Sequence, residues 1–107
     1  MILADLGADV IKIERPGSGD DTRGWGPPVD ERGESAYFLS VNRNKLSVAA
    51  DFDSAADREL LHALIAGADV VLDNFREGAL TRRGFGPDEM VAKHPRLIWC
   101  TITGFGL

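Results

Sequence analysis

One short pattern occurs twice in this chain and constrains its fold more than any other feature. Leu6-Gly7-Ala8-Asp9-Val10-Ile11 comes early, and Ala66-Gly67-Ala68-Asp69-Val70-Val71 returns 60 residues later. In each, an apolar helical pattern runs into glycine and then into β-branched residues. Glycine suits the left-handed position just past a helix end. Val and Ile suit a buried strand. Each segment reads as a helix-to-strand junction that delivers a strand into one sheet. The unlike sequence between them argues against a solenoid repeat.

The remaining elements fall around these junctions. Met1 to Leu6 reads as the last turn of a helix, and Asp9 to Glu14 as the first strand. Arg15 to Ser35 is loop-like, with five Gly and three Pro in 21 residues, a length that is usually functional or disordered. Ala36 to Val41 predicts a short helical turn, and Leu46 to Phe52 a strand. Ser54 with Asp57 three residues on resembles a capping box. The helix it starts puts Leu60, Leu61, Leu64 and Ile65 on one face and His62 off it. Gly67 ends that helix, and Asp69 to Leu72 is the next strand. Gly78 to Arg83 predicts a short helix closed by Gly84. Pro87 suits the first turn of another helix, which runs to about His94. Leu97 to Thr103 is the final strand. Strands alternating with helices give an α/β class with an open, mainly parallel sheet. The opening on a helix end and the stop after a strand, at Gly104-Phe105-Gly106-Leu107, read as cuts from a larger protein.

Composition narrows the functional classes. A chain of 107 residues with 44% hydrophobic and 27% charged residues is one globular domain at most. It has no apolar run long enough to cross a membrane and no signal-peptide pattern. A net charge of −5 argues against general nucleic-acid binding. A single cysteine excludes a disulfide framework and a multi-cysteine zinc site, and fits a reducing cytoplasm. Cys100 sits in an apolar strand pattern and reads as buried. His62 reads as a solvated surface residue, and His94 as a helix-end residue. No nucleophile elbow is present, and the acids Asp20, Asp21, Asp30 and Glu31 match no calcium loop. Gly17-Ser18-Gly19 starts like a dinucleotide fingerprint. It fails at the third glycine and is followed by two aspartates that would repel a pyrophosphate.

The cations are more informative. In open α/β sheets, ligands bind beyond the carboxyl ends of strands. Arg15 and Arg76 lie at two such ends, and Arg82 follows one short helix later. Asn74 offers donors and an acceptor to a base edge, and Phe75 offers a stacking face. Together these residues could hold an aromatic base, its ribose and phosphates. The competing reading pairs the arginines with surface acids.

The segment Ala4-Asp5-Leu6-Gly7-Ala8-Asp9-Val10-Ile11-Lys12-Ile13-Glu14-Arg15-Pro16-Gly17 closely resembles the class III CoA-transferase family. That family includes formyl-CoA transferases, carnitine CoA-transferases and α-methylacyl-CoA racemases. Three further segments agree in order: Gly19-Asp20-Asp21-Thr22-Arg23-Gly24-Trp25-Gly26-Pro27-Pro28, Phe38-Leu39-Ser40-Val41-Asn42-Arg43-Asn44-Lys45 and Asp73-Asn74-Phe75-Arg76-Glu77-Gly78-Ala79-Leu80. Pro95-Arg96-Leu97-Ile98 and Thr103-Gly104-Phe105-Gly106 also match. Leu46 departs from the family's usual basic residue.

The resemblance implies a fold, a chemistry and a set of contacts. The fold is a Rossmann-like large domain, of which residues 1–107 form part, in an interlinked homodimer. Arg15 would contact the nucleotide phosphate or ribose. Asn74, Phe75 and Arg76 would line the adenine side, Arg82 would bind phosphate, and Ala50, Asp51, Phe52 and Asp53 would flank the base. The substrates would be an acyl-CoA and a carboxylic acid, with no tightly bound cofactor, no metal and no nucleic-acid or membrane partner. CoA would move through an aspartyl-CoA intermediate. None of the 11 aspartates here matches the nucleophile's motif, so the catalytic residue is expected outside this chain, which alone would be inactive. The alternatives are a piece of a racemase, to which Asn42–Lys45 and Gly24–Pro28 are less suited, or a stand-alone CoA- or nucleotide-binding module. A non-binding structural remnant is a third.

Overall fold

Two parallel strand pairs organise the chain, one in each of two compact units, Met1–Asp51 and Phe52 onward. The computed structural model describes residues 1–106; Leu107, the last residue of the closing segment, lies outside them. In the first unit a single helical turn, α1 (Ile2–Asp5), leads through Gly7, at φ 103°, into β1 (Val10–Glu14). A 3₁₀ turn (Asp21–Gly24) interrupts the long loop. Then α2 (Ala36–Asn42) leads to β2 (Lys45–Ala49). β1 and β2 pair in parallel, with Val10 opposite Lys45 and Glu14 opposite Ala49.

The second unit begins with α3 (Ala55–Ala66) and β3 (Val70–Asp73). A 3₁₀ turn (Thr81–Arg83), α4 (Pro87–Lys93) and β4 (Ile98–Thr101) complete it. β3 and β4 pair in parallel, with Val70 opposite Ile98 and Asp73 opposite Thr101. The helix signals act as their chemistry requires. Ser35 Oγ accepts from the Phe38 amide and Ser54 Oγ from the Asp57 amide, while Pro87 opens α4.

Several expectations are corrected by the tertiary packing. Within each unit the strands form one two-stranded sheet, β1–β2 in the first and β3–β4 in the second. β2 stops at Ala49 and β4 at Thr101, because pairing ends where the partner strand turns away at Glu14 and Asp73. The predicted helix from Gly78 is only the 3₁₀ turn, closed by Gly84 in the left-handed region at φ 85°. Gly67 does end α3, but at φ −95°, so it uses no left-handed freedom. Leu60 is 43% exposed, leaving Leu61 as the buried residue of α3.

Two side chains change places with their expected roles. Cys100 is exposed. Strand alternation puts it with Val70, Leu72 and Ile98 on the open face of the β3–β4 pair, opposite half-buried Trp99 and Thr101. His62 is half-buried. Its ring stacks on Phe85 at 4.2 Å, and its Nδ1 is buried without a hydrogen-bond partner among the described residues. Phe85 reaches it only through the turn at Gly84, which helical periodicity does not reveal.

The core of the first unit is Ala4, Phe38 and Ala50, joined by buried Ser35 and Glu14. The Glu14 carboxylate, 9% exposed, accepts from Arg23 Nε at 3.0 Å and from Ser47 Oγ at 3.2 Å. The Arg23 guanidinium also lies 4.0 Å over the Phe38 ring, which adds a cation–π attraction. Gly19 makes room for this arrangement. Its φ is 66°, and a Cβ there would sit 2.9 Å from Arg23 Cδ and 3.1 Å from Glu14 Oε2. Gly19→Ala is expected to lower unfolding stability by about 1–3 kcal/mol through strain and displacement of Arg23. Urea titration of the two forms checks this.

Asp20 closes the same loop. It pairs with Lys12 Nζ at 2.7 Å and accepts from the Thr22 amide and hydroxyl. The Lys12 hydrogen bond, followed by the Thr22 amide, holds the Asp20 carboxyl well below the usual carboxylate range. A depressed folded value means the stabilisation is present above about pH 4, the ordinary carboxylate value, and is lost as pH falls through the folded value. Asp20→Asn should therefore flatten the fall of the urea midpoint on acidification below about pH 4. An unchanged acid profile would remove the Lys12–Asp20 pair from the account.

Candidate functional site: a cleft at the carboxyl ends of β3 and β4

The second unit opens a cleft of about 540 Å³ beyond the carboxyl ends of β3 and β4. Asn74, Phe75 and Arg76 form one wall, and Ile102, Thr103 and Phe105 are on the other. A second hollow of about 390 Å³ lies beside it, lined by Gly78, Thr81 and Thr101 among others. Phe75, Arg76 and Glu77 border both.

Phe75 is braced from behind by an aromatic series. Its ring meets Phe52 edge-on at 5.6 Å, Phe52 meets Phe85 edge-on at 5.4 Å, and Phe85 stacks on His62. Edge-to-face contacts of this kind contribute about 0.5–1.5 kcal/mol each beyond burial. Phe85 is 2% exposed, whereas Phe75 is 42% exposed and keeps a face for a ligand. Arg58 Nη1, from the first turn of α3, holds the Phe52 carbonyl at 2.9 Å.

The expected site residues divide between the two units. Asn74, Phe75 and Arg76 line one cleft, as their adjacency after β3 implied. Phe52 supports Phe75, and Asp53 lies 3.6 Å from Arg83 Nε. Arg82 is exposed and folds over Gly78, where an added Cβ would lie 3.1 Å from its Nη1. Arg15, Ala50 and Asp51 belong to the first unit. Arg15 is exposed just past β1 and pairs with Asp21 at 2.6 Å. Ala50 is 2% exposed, and its amide donates to the Glu14 carbonyl. Asp51 is exposed.

Charge is distributed unevenly over these groups. Arg15, Arg23, Arg32, Arg43 and Arg83 are each in an ion pair. Arg76 and Arg82 enter no ion pair among the described residues. Of the two, Arg76 borders both hollows, with Glu77 the opposing charge beside it, and Arg82 lines neither. Sequence reasoning missed the residue behind this wall. Asp73 Oδ1 accepts from the Phe75 amide, and its Oδ2 accepts from Trp99 Nε1 and Thr101 Oγ1, both at 2.7 Å. Strand alternation on β4, which puts Trp99 and Thr101 on one face, was the available signal.

Comparison with known proteins fixes the class of this arrangement. The family model described as CoA-transferase family III matches residues 1–107. The chain is 48% identical over 106 residues to succinyl-CoA:glutarate CoA-transferase of Mus musculus, covering 99% of this chain and 24% of that protein. It is 46% identical over 105 residues to acetyl-CoA:oxalate CoA-transferase of Acetobacter aceti, covering 98% of this chain and 26% of the relative. The crystal structure of a CAIB/BAIF family protein from Brucella suis superposes with a TM-score of 0.90 at 52% identity, over 97% of this chain and 28% of that one. The chain belongs to CoA-transferase family III and is built as an open, parallel α/β structure. It spans about a quarter of the length of the relatives it matches.

Gly78 gives the cleft a local test. Its φ is 76°, and it carries the Arg82 side chain. Gly78→Ala is expected to lower stability by about 1–2 kcal/mol, the usual cost of a left-handed non-glycine residue, and to push the Arg82 guanidinium aside. Urea titration together with a structure of the variant reads both effects.

Proposed function

We propose that the protein containing this chain transfers CoA from an acyl-CoA to a carboxylic acid, and that this chain supplies part of the CoA-nucleotide site. The observation that carries the reading is the placement of Asn74, Phe75 and Arg76 on one cleft beyond two parallel strand ends, in a chain of this family. Such a cleft suits a nucleotide: Phe75 stacks on adenine, Asn74 meets its edge, and Arg76 and Arg82 take phosphates. On this reading Arg15 contributes from the end of β1, and Ala50, Asp51, Phe52 and Asp53 flank the base. Both units are then parts of one Rossmann-like CoA-binding domain.

The nucleophilic aspartate belongs to the length of the relatives that this chain does not span. There it takes the acyl group from the thioester as a mixed anhydride, and the released thiolate attacks the aspartyl carbonyl to give aspartyl-CoA and free the donor carboxylate. The acceptor carboxylate then displaces the thiolate to form a second anhydride, whose acyl carbonyl the thiolate attacks, giving the new acyl-CoA and the free aspartate. The same reading makes the enzyme a cytoplasmic, interlinked homodimer that needs no tightly bound cofactor. Among the described residues no helix is long and apolar enough to cross a membrane.

The experiment is CoA exchange by the full-length protein between succinyl- or acetyl-CoA and a panel of dicarboxylates, read as newly formed acyl-CoA. Arg76→Ala and Phe75→Ala are each expected to raise KM for the acyl-CoA about tenfold, typical for a lost charged hydrogen bond or stacking face, with a much smaller change in kcat. Epimerisation of a 2-methylacyl-CoA without exchange would replace the transferase reading with the racemase. Exchange insensitive to both substitutions would place the nucleotide elsewhere.

A further inference from the structure

A side chain that does not line the cleft ties its two walls together. Asp73 is the last residue of β3. Its Oδ1 accepts from the Phe75 amide at 3.0 Å, two residues on. Its Oδ2 accepts from Trp99 Nε1 and Thr101 Oγ1 on β4. Its main-chain carbonyl accepts from the Ile102 amide at 2.9 Å. One residue thus holds the loop of Asn74, Phe75 and Arg76 and the start of the facing wall at Ile102. We propose that Asp73 is a positioning residue for the nucleotide. It sets the spacing of the two cleft walls by fixing the Phe75 backbone against β4. The proposal rests on the nucleotide-site reading given above.

The chemistry of the three donors makes the position demanding. A carboxylate accepts at both oxygens, whereas an amide accepts at one and donates at the other. In Asp73→Asn, whichever way the amide turns, its NH2 faces either the Phe75 N–H or the Trp99 N–H. At least one anchor is lost while size is conserved. Trp99 lines neither hollow, so Trp99→Phe removes one donor without touching the ligand. Thr101→Ser keeps the hydroxyl, and Thr101→Val removes it at nearly constant volume.

The test uses the full-length protein, with the acyl-CoA as substrate and 3′-phosphoadenosine 5′-diphosphate as a competitive probe of the nucleotide subsite. Asp73→Asn, Trp99→Phe and Thr101→Val are each expected to raise KM and the probe's inhibition constant roughly three- to tenfold, the scale of one lost hydrogen bond. The kcat should be nearly unchanged, and Thr101→Ser should behave as the parent. Lower thermal stability with both constants unchanged would overturn the proposal and leave Asp73 a structural residue. Should Asp73→Asn fail to fold, the Trp99 and Thr101 variants carry the same test. Arg76→Ala is the reference. If it weakens the probe and the anchoring variants do not, positioning alone fails. If Arg76→Ala also has no effect, the nucleotide-site reading fails first.

Discussion

A carboxylate at the carboxyl end of the leading strand is the constraint on which both units depend. Glu14 ends β1 and collects Arg23 and Ser47; Asp73 ends β3 and collects Trp99, Thr101 and the Phe75 amide. In each case one acceptor comes from a strand end and at least one donor from its parallel partner. A parallel pair of four or five residues has few ladder bonds of its own. Charge-assisted hydrogen bonds are about twice as strong as neutral ones, so an acid here fixes the register and the departure of the following loop together. Those loops carry Arg15 in one unit and Asn74–Arg76 in the other.

An acidic chain can still serve an anionic ligand when its cations are sorted. Most arginines here are committed to structure: Arg43 is clamped by Asp5, Arg23 by Glu14, and Arg32 by Asp30. The Arg43 hydrogen bond holds the Asp5 carboxyl below its ordinary range, as the Glu34 amide does for Asp30. Arg76, which borders both hollows of the second unit, is in no ion pair among the described residues.

Some of the motif residues have a structural role that a nucleotide-centred reading would overlook. Asn42-Arg43-Asn44-Lys45 turns the chain from α2 into β2. Asn42 bonds back to the Phe38 carbonyl, Lys45 reaches Asn42, and Arg43 and Asn44 both hold Asp5. Asn44 takes φ 63°, a conformation that asparagine tolerates better than most residues. Leu46, which follows, is 68% exposed.

The sequence by itself determined what depends on near neighbours. The helix cap at Ser54, the stop at Gly67, the strands after Gly7 and Gly67 and the adjacency of Asn74, Phe75 and Arg76 all follow from contacts a few residues long. The tertiary structure alone decided which strands pair, that Cys100 faces outward, that His62 lies against Phe85, and that Asp73 ties Phe75 to Trp99 and Thr101. The strand pairings, the His62–Phe85 stack and the bonds from Asp73 to β4 join residues some 20 or more positions apart, as in the 26-residue separation of Asp73 and Trp99. Local propensity is indifferent among the partners such residues might find. Only the closing of β3 against β4 selects one set of them.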